Sequence, residues 1–88
     1  MEILFTNQFE KDIRKIKDKA LAVNIEKVIL SSKSAKKISE IANIKKLKGS
    51  QNAYRIRIGS YRIGIYVTDN TLEFVCFMSR KDIYKYFP

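Results

Sequence analysis

The chain has no histidine and no tryptophan, and its 88 residues include one cysteine, one proline and three glycines. Without histidine it lacks the side chain most used as a general base and as a metal ligand near neutral pH. With a single thiol and no close set of carboxylates, neither a metal centre nor a small-molecule cofactor is expected. Cys76 has no partner for an internal disulfide and falls within an apolar run, so a reduced, buried thiol is expected. No glycine-rich nucleotide loop is present. No apolar run approaches the roughly 20 residues of a membrane span. The opening "MEILFTNQFEKDIRK" lacks the basic start and long apolar stretch of a secretory signal. A soluble, intracellular, cytoplasmic protein is the expectation.

Acidic residues are scarce as well: 9 against 18 Lys and Arg, a net charge of +9. The excess is uneven. Residues 1–44 hold 9 basic and 6 acidic side chains, net +3, whereas residues 45–88 hold 9 and 3, net +6. From Lys45 to Arg62 there are six basic residues and no acidic one. Such a stretch attracts polyanions through field focusing and counterion release. Nucleic acid, an acidic protein and an anionic membrane surface all satisfy that description.

At 88 residues the chain is one domain, 1–88, with an apolar content of 45% that argues against disorder. "EILFT" reads as a first strand. Asn7 or Thr6 then caps a helix, with Glu10 placed for a capping box after Asn7. Phe9, Ile13 and Ile16 form one helical face, and the pattern changes phase near Lys19. Leu21, Ile25, Val28 and Ile29 mark a second helix closing at "SSKS", antiparallel to the first. "SAKKISEIANI" reads as a short helical piece or irregular turn, capped by Ser34, with Ile38 and Ile41 returning to the core. "KKLKGSQN" reads as a loop broken at Gly49. Three strands follow at about Ala53–Ile58, Tyr61–Thr68 and Leu72–Ser79, joined at Gly59-Ser60, which suits a type II′ turn, and at Asp69-Asn70. The charged, aromatic "RKDIYKYFP" ends the chain. The predicted fold is α+β: an N-terminal strand, a two-helix hairpin and a three-stranded antiparallel meander, the helices packed on one sheet face, then a short C-terminal segment.

A two-residue loop at Gly59-Ser60 fixes the register of the first hairpin. Ile58 pairs with Tyr61, Arg57 with Arg62, Ile56 with Ile63, Arg55 with Gly64, and Tyr54 with Ile65. Side chains alternate between faces, so Arg55, Arg57 and Arg62 share one face, with Gly64 leaving space among them. Tyr54, Ile56, Ile58, Tyr61, Ile63, Ile65 and Val67 share the other, core face. An uninterrupted second hairpin sets Arg62 beside Phe77, Gly64 beside Val75 and Tyr66 beside Glu73, so Tyr66, Glu73, Val75, Phe77 and Ser79 join the arginines. Like charges opposed across strands are destabilising, so a purely structural surface had cheaper choices. Guanidiniums fork phosphodiester oxygens, and Tyr66 and Phe77 would offer faces for stacking bases. The plain alternative is a solvated face that happens to be basic.

In "KKLKG…YRIRIGSYRIGIYV…LEFVCFMSRKDIYKYFP" the chain resembles the RelE/ParE superfamily of toxins from toxin–antitoxin pairs, with the RelE branch favoured. The resemblance implies a sheet with a helical hairpin packed on it and a cognate antitoxin that wraps the toxin. It implies, in the RelE branch, entry into the ribosomal decoding site and cleavage of messenger RNA there, the 2′-hydroxyl attacking the adjacent phosphate. The family's catalytic positions fall on Arg55, Arg57, Arg62, Arg80 and Tyr84. Lys45, Lys46, Lys48 and Lys81, with Tyr66 and Phe77, are the expected RNA contacts. Expected partners are therefore an antitoxin, the ribosome and mRNA, with no membrane among them.

The chain also departs from its relatives. Some carry lysine at Arg55 or Arg57, and many carry histidine at Ser79. Arginine stabilises a pentavalent phosphorus well but is a poor base, its pKa lying above about 12. Proton transfer then falls to Tyr84, Lys81, Glu73 or a ribosomal group. Plainer readings exist for each: Arg80 as a strand end beside Asp82, Tyr84 with Tyr86 and Phe87 as an anchor for the tail, Glu73 as a neutraliser of an arginine. Phe74, Cys76 and Met78 are expected in the core. The leading expectation is a ribosome-dependent mRNA endonuclease. The alternatives are a ParE-like, non-enzymatic poison of DNA gyrase and a weakly active or inactive RNA-binding relative.

Overall fold

A computed structural model describes all residues, 1–88. Strand β1 (Glu2–Phe5) leads into helices α1 (Asn7–Arg14) and α2 (Lys19–Ser34), then a 3-10 turn at Ile38–Glu40. Strands β2 (Ile44–Lys46), β3 (Ala53–Ile58), β4 (Tyr61–Thr68) and β5 (Thr71–Ser79) precede helix α3 (Arg80–Tyr86). The five strands form one sheet in the order β1-β5-β4-β3-β2. Only the β1–β5 pair is parallel. The α+β architecture is the one expected from the residue pattern. No helix is long and apolar enough to cross a membrane.

Capping decides the helix starts. The Thr6 hydroxyl, not Asn7, accepts from the Phe9 N–H at 3.0 Å, and Glu10 pairs with Arg14 at 3.4 Å instead of closing a capping box. Asp18 caps α2, one carboxylate oxygen accepting from Ala20 N at 2.9 Å and Leu21 N at 3.2 Å. Each such cap contributes about 0.5–2 kcal/mol. Ser34 is the last residue of α2 rather than a cap. Ile41 is buried and Ile38 partly so, as the periodicity requires.

The principal core lies between α1, α2 and the sheet. Phe9, Ile56, Ile63, Ile65, Leu72 and Phe74 are fully buried there. The Phe9 and Phe74 rings meet edge-on at 5.4 Å. The first hairpin has the expected register throughout, from Ile58–Tyr61 to Tyr54–Ile65. Gly59 carries the positive φ, 56°, that a type II′ turn needs at its first central residue.

Two features depart from expectation. Ile44, expected to end the helical piece or turn, and Lys45–Lys46, expected to open the loop, form an edge strand with Lys45 opposite Arg55. A three-residue, lysine-rich edge has no apolar alternation to betray it. The second hairpin is also interrupted. Gly64 lies opposite Cys76 and Ile65 opposite Phe74, so Val75 is an extra, bulged residue. Side chains of α1 and of its cap stabilise the bulge: the Thr6 hydroxyl donates to Val75 O at 2.7 Å, and the Asp12 carboxylate accepts from Phe77 N at 2.9 Å. They replace β1, whose pairing with β5 stops at Phe74.

The bulge corrects the expected neighbours. Arg62 sits beside Met78 and Gly64 beside Cys76, while Tyr66–Glu73 stands. Phe77 turns to the helix-covered face, 9% exposed, its ring stacked on Tyr61 at 5.0 Å. It offers no platform to RNA. Ser79 caps α3, its hydroxyl accepting from Asp82 N at 3.2 Å.

Helix α3 lies on the opposite face from α1 and α2 and makes a second, smaller core of Leu47, Ala53, Cys76, Ile83 and Phe87. Gly64 admits it, since a Cβ there would stand 2.8 Å from both Cys76 Sγ and the Phe87 ring. The space expected among the arginines is thus filled by the tail.

Candidate nucleic-acid interface

Beside this second core the sheet presents Arg55 and Arg57 from β3 and Arg62 from β4, on one face as the hairpin register requires. None is in an ion pair; Glu10–Arg14 is the only salt bridge in the chain. Glu73 stands across from Tyr66 and neutralises no arginine. The guanidiniums rest on carbonyls instead. Arg55 Nη1 donates to Asn43 O at 2.8 Å, and Arg62 Nη1 donates to Gly59 O and Tyr61 O, both at 2.9 Å. The Nε atoms of Arg55 and Arg62 are buried with no acceptor, an exception to the near-universal pairing of buried polar groups.

Tyr84, on α3 and 60% exposed, brings the C-terminal helix to this patch. Partial burial would raise its phenol, but the neighbouring guanidiniums of Arg55, then Arg62, outweigh that and hold it below the ordinary 10.0. Both guanidiniums favour the phenolate. Tyr84 also lines a cleft of about 380 Å³ with Lys45, Lys46, Leu47, Lys48, Phe87 and Pro88. Lys45 lies opposite Arg55 in the β2–β3 ladder. Two arginines, one tyrosine and three lysines therefore form a continuous surface whose cations have no carboxylate partners.

Arg80 opens α3 and is exposed; its N–H donates to Ser60 O at 2.9 Å, which ties that helix end to the β3–β4 turn. Lys81 is exposed next to it. Tyr66 is half-buried, its ring tilted against Phe87 at 5.2 Å, so much of its surface goes to anchoring the tail. Arg57 is exposed and leans to the sheet edge, where its Nη2 lies 3.5 Å from Asn43 Oδ1. Asn43 was not visible as a site residue beforehand. Its one signal is that asparagine tolerates the left-handed backbone it adopts, φ 63°.

The profile of the family described as "ParE toxin of type II toxin-antitoxin system, parDE" matches residues 3–84. The chain belongs to the RelE/ParE family of toxins. Toxin RelE3 of Methanocaldococcus jannaschii is 38% identical over 89 residues, with the whole of both chains covered. Among solved structures, a RelB–RelE antitoxin–toxin complex from Methanococcus jannaschii matches with a TM-score of 0.81 at 38% identity, covering 97% of this chain and 99% of that one. An archaeal RelE–RelB complex from Pyrococcus horikoshii shares the fold, with a TM-score of 0.73, 20% identity, and coverage of 90% and 93%. In this RelE/ParE-family toxin the lone thiol lies beneath the tail and outside the charged patch. Burial foremost pushes Cys76 up to about 11, the nearby Asp12 charge adding to it against a hydrogen bond to the Gly64 backbone. At neutral pH it is an unreactive thiol.

Proposed function

We propose that this toxin is a ribosome-dependent mRNA endonuclease that arrests translation in the cytoplasm and is held inactive by a cognate antitoxin. The observation that carries the reading is Tyr84 set against Arg55 and Arg62, its phenol lowered by both. In-line transfer needs a base for the 2′-hydroxyl, charge stabilisation at phosphorus and an acid for the leaving oxygen. Tyr84, as phenolate, takes the 2′-hydroxyl proton. The freed oxygen bonds to the adjacent phosphorus while the P–O5′ bond breaks, leaving a 2′,3′-cyclic phosphate and a 5′-hydroxyl. Arg55 and Arg62 fork the non-bridging oxygens, and reorientation onto them gives their orphaned Nε donors acceptors. Lys81, three residues before Tyr84 and so neighbouring it on the helix surface, protonates the departing 5′-oxygen. Arg80 and the lysines Lys45, Lys46 and Lys48 hold the strand through its phosphates. Ordering of the mRNA by the ribosome supplies much of the acceleration.

The antitoxin partner rests on the family and on the likeness to a RelB–RelE complex. The family description names the ParE branch, so gyrase poisoning is the competing activity. Primer extension on mRNA after brief induction separates the two. Cuts inside translated codons support the nuclease; intact mRNA together with inhibition of gyrase supercoiling supports the alternative.

A further inference from the structure

Arg57 differs from the other two arginines. Its Cα faces that of Arg62 across the ladder, yet Tyr84 is influenced by Arg55 and Arg62 alone. The Arg57 side chain runs outward to Asn43 and lines a separate cleft of about 550 Å³ between α2 and the β3–β4 hairpin. Asn24, Lys27 and Val28 from α2, with Asn43, Ile58 and Gly59, complete the walls. No carboxylate is among them. Asn43 joins the cleft to the arginine face: its carbonyl accepts from Arg55 Nη1 at 2.8 Å and Arg57 N at 3.1 Å, while its side-chain oxygen faces Arg57 Nη2. The side chains of Asn24 and Lys27 make no hydrogen bond or ion pair within the protein.

We infer that this cleft is a second nucleotide subsite, taking the single-stranded RNA segment that flanks the phosphate held by Arg55, Arg62 and Tyr84. The inference rests on the RNA-cleaving reading and extends it across the sheet edge. Each kind of group there has a counterpart in a nucleotide. Lys27 and Arg57 offer cations to a phosphate. The Asn24 and Asn43 amides each present donor and acceptor, the pattern a base edge requires. Val28 and Ile58 give an apolar wall for the ring, and Gly59 has no side chain to obstruct it. The volume falls in the range of small-ligand sites, about 300–1,000 Å³. Asn43, held in the left-handed region, fixes the ridge between the subsites.

The test uses the intact purified toxin and fluorescence anisotropy with cleavage-resistant 2′-O-methyl oligoribonucleotides of about three and about eight nucleotides, lengths chosen so that only the longer spans both subsites. Lys27→Gln exchanges one exposed helix-compatible residue for another. The expected result is binding of the octamer weakened about three- to tenfold, and a salt slope reduced by about 0.7, the loss of one single-strand phosphate contact. The trimer should change far less, whereas Arg62→Ala should weaken both lengths. An octamer affinity and slope unaltered by Lys27→Gln, with Arg62→Ala still weakening both lengths, overturns the cleft while leaving the RNA reading intact. Octamer binding indifferent to Arg62→Ala overturns the reading and the cleft with it, and no octamer binding by the wild type overturns the cleft.

Discussion

The two faces of the sheet are built on different terms. On the helix-covered face, eleven buried residues form a continuous core of aromatic and branched side chains. The other face buries five, held by one short helix and a tail, with three arginines beside them. Large apolar side chains stabilise by roughly 1.5–3 kcal/mol each when fully buried, so most of the stability lies on the first face. The second carries like charges opposed across strands, at Arg57 and Arg62, which cost a sheet stability. The three arginines stand without ion pairs on the face from which the fold gains least.

Substitutions can break this contrast. Phe74→Ala empties the centre of the first core and should cost about 3–5 kcal/mol, read from urea unfolding midpoints; a loss under 1 kcal/mol would mean the core is not where burial places it. Gly64→Ala should cost less, about 1–3 kcal/mol from overpacking, because the tail can lift away. Its sharper readout is Cys76: as Phe87 leaves, the thiol is exposed, its pKa falls from about 11 toward the ordinary 9.0, and alkylation at fixed pH accelerates. Unchanged labelling would show that the tail does not cover Cys76. Arg62→Ala should shift stability by no more than about 0.5 kcal/mol, since it removes a like-charge opposition and no ion pair. Tyr84→Phe belongs at the same end for stability, but it should alter the pH profile of mRNA cleavage. A phenolate base makes the rate rise with pH to an inflection below the ordinary tyrosine 10.0. That inflection should vanish in the phenylalanine variant, and its persistence would remove Tyr84 from the role of base.

The contrast also explains what could be read from the residues alone. Phe9, Ile13 and Ile25 follow helical spacing, and Ile56, Ile63 and Ile65 alternate beside a turn of fixed length, so the large core and the arginine register were legible. These are local rules. The bulge at Val75 depends on Thr6 and Asp12, 69 and 65 residues away from the groups they bind, and no local pattern reports such a bond. It carried Phe77 to the wrong side of the expected surface. Strand β2 was missed because a three-residue charged edge looks like a loop, and Asn43 went with it. Tyr84 was named from family resemblance; its lowered phenol depends on Arg55 and Arg62 meeting it across elements distant in sequence.

The most direct measurement is primer extension on mRNA incubated with purified ribosomes and equal amounts of wild-type or Arg62→Ala toxin, alongside urea unfolding of both proteins. Cleavage within codons by the wild type, dependent on ribosomes and reduced at least a hundredfold in a variant whose unfolding midpoint is unchanged, is the predicted result. Equal cleavage by the two proteins, or none by either, would contradict an arginine face that acts on RNA.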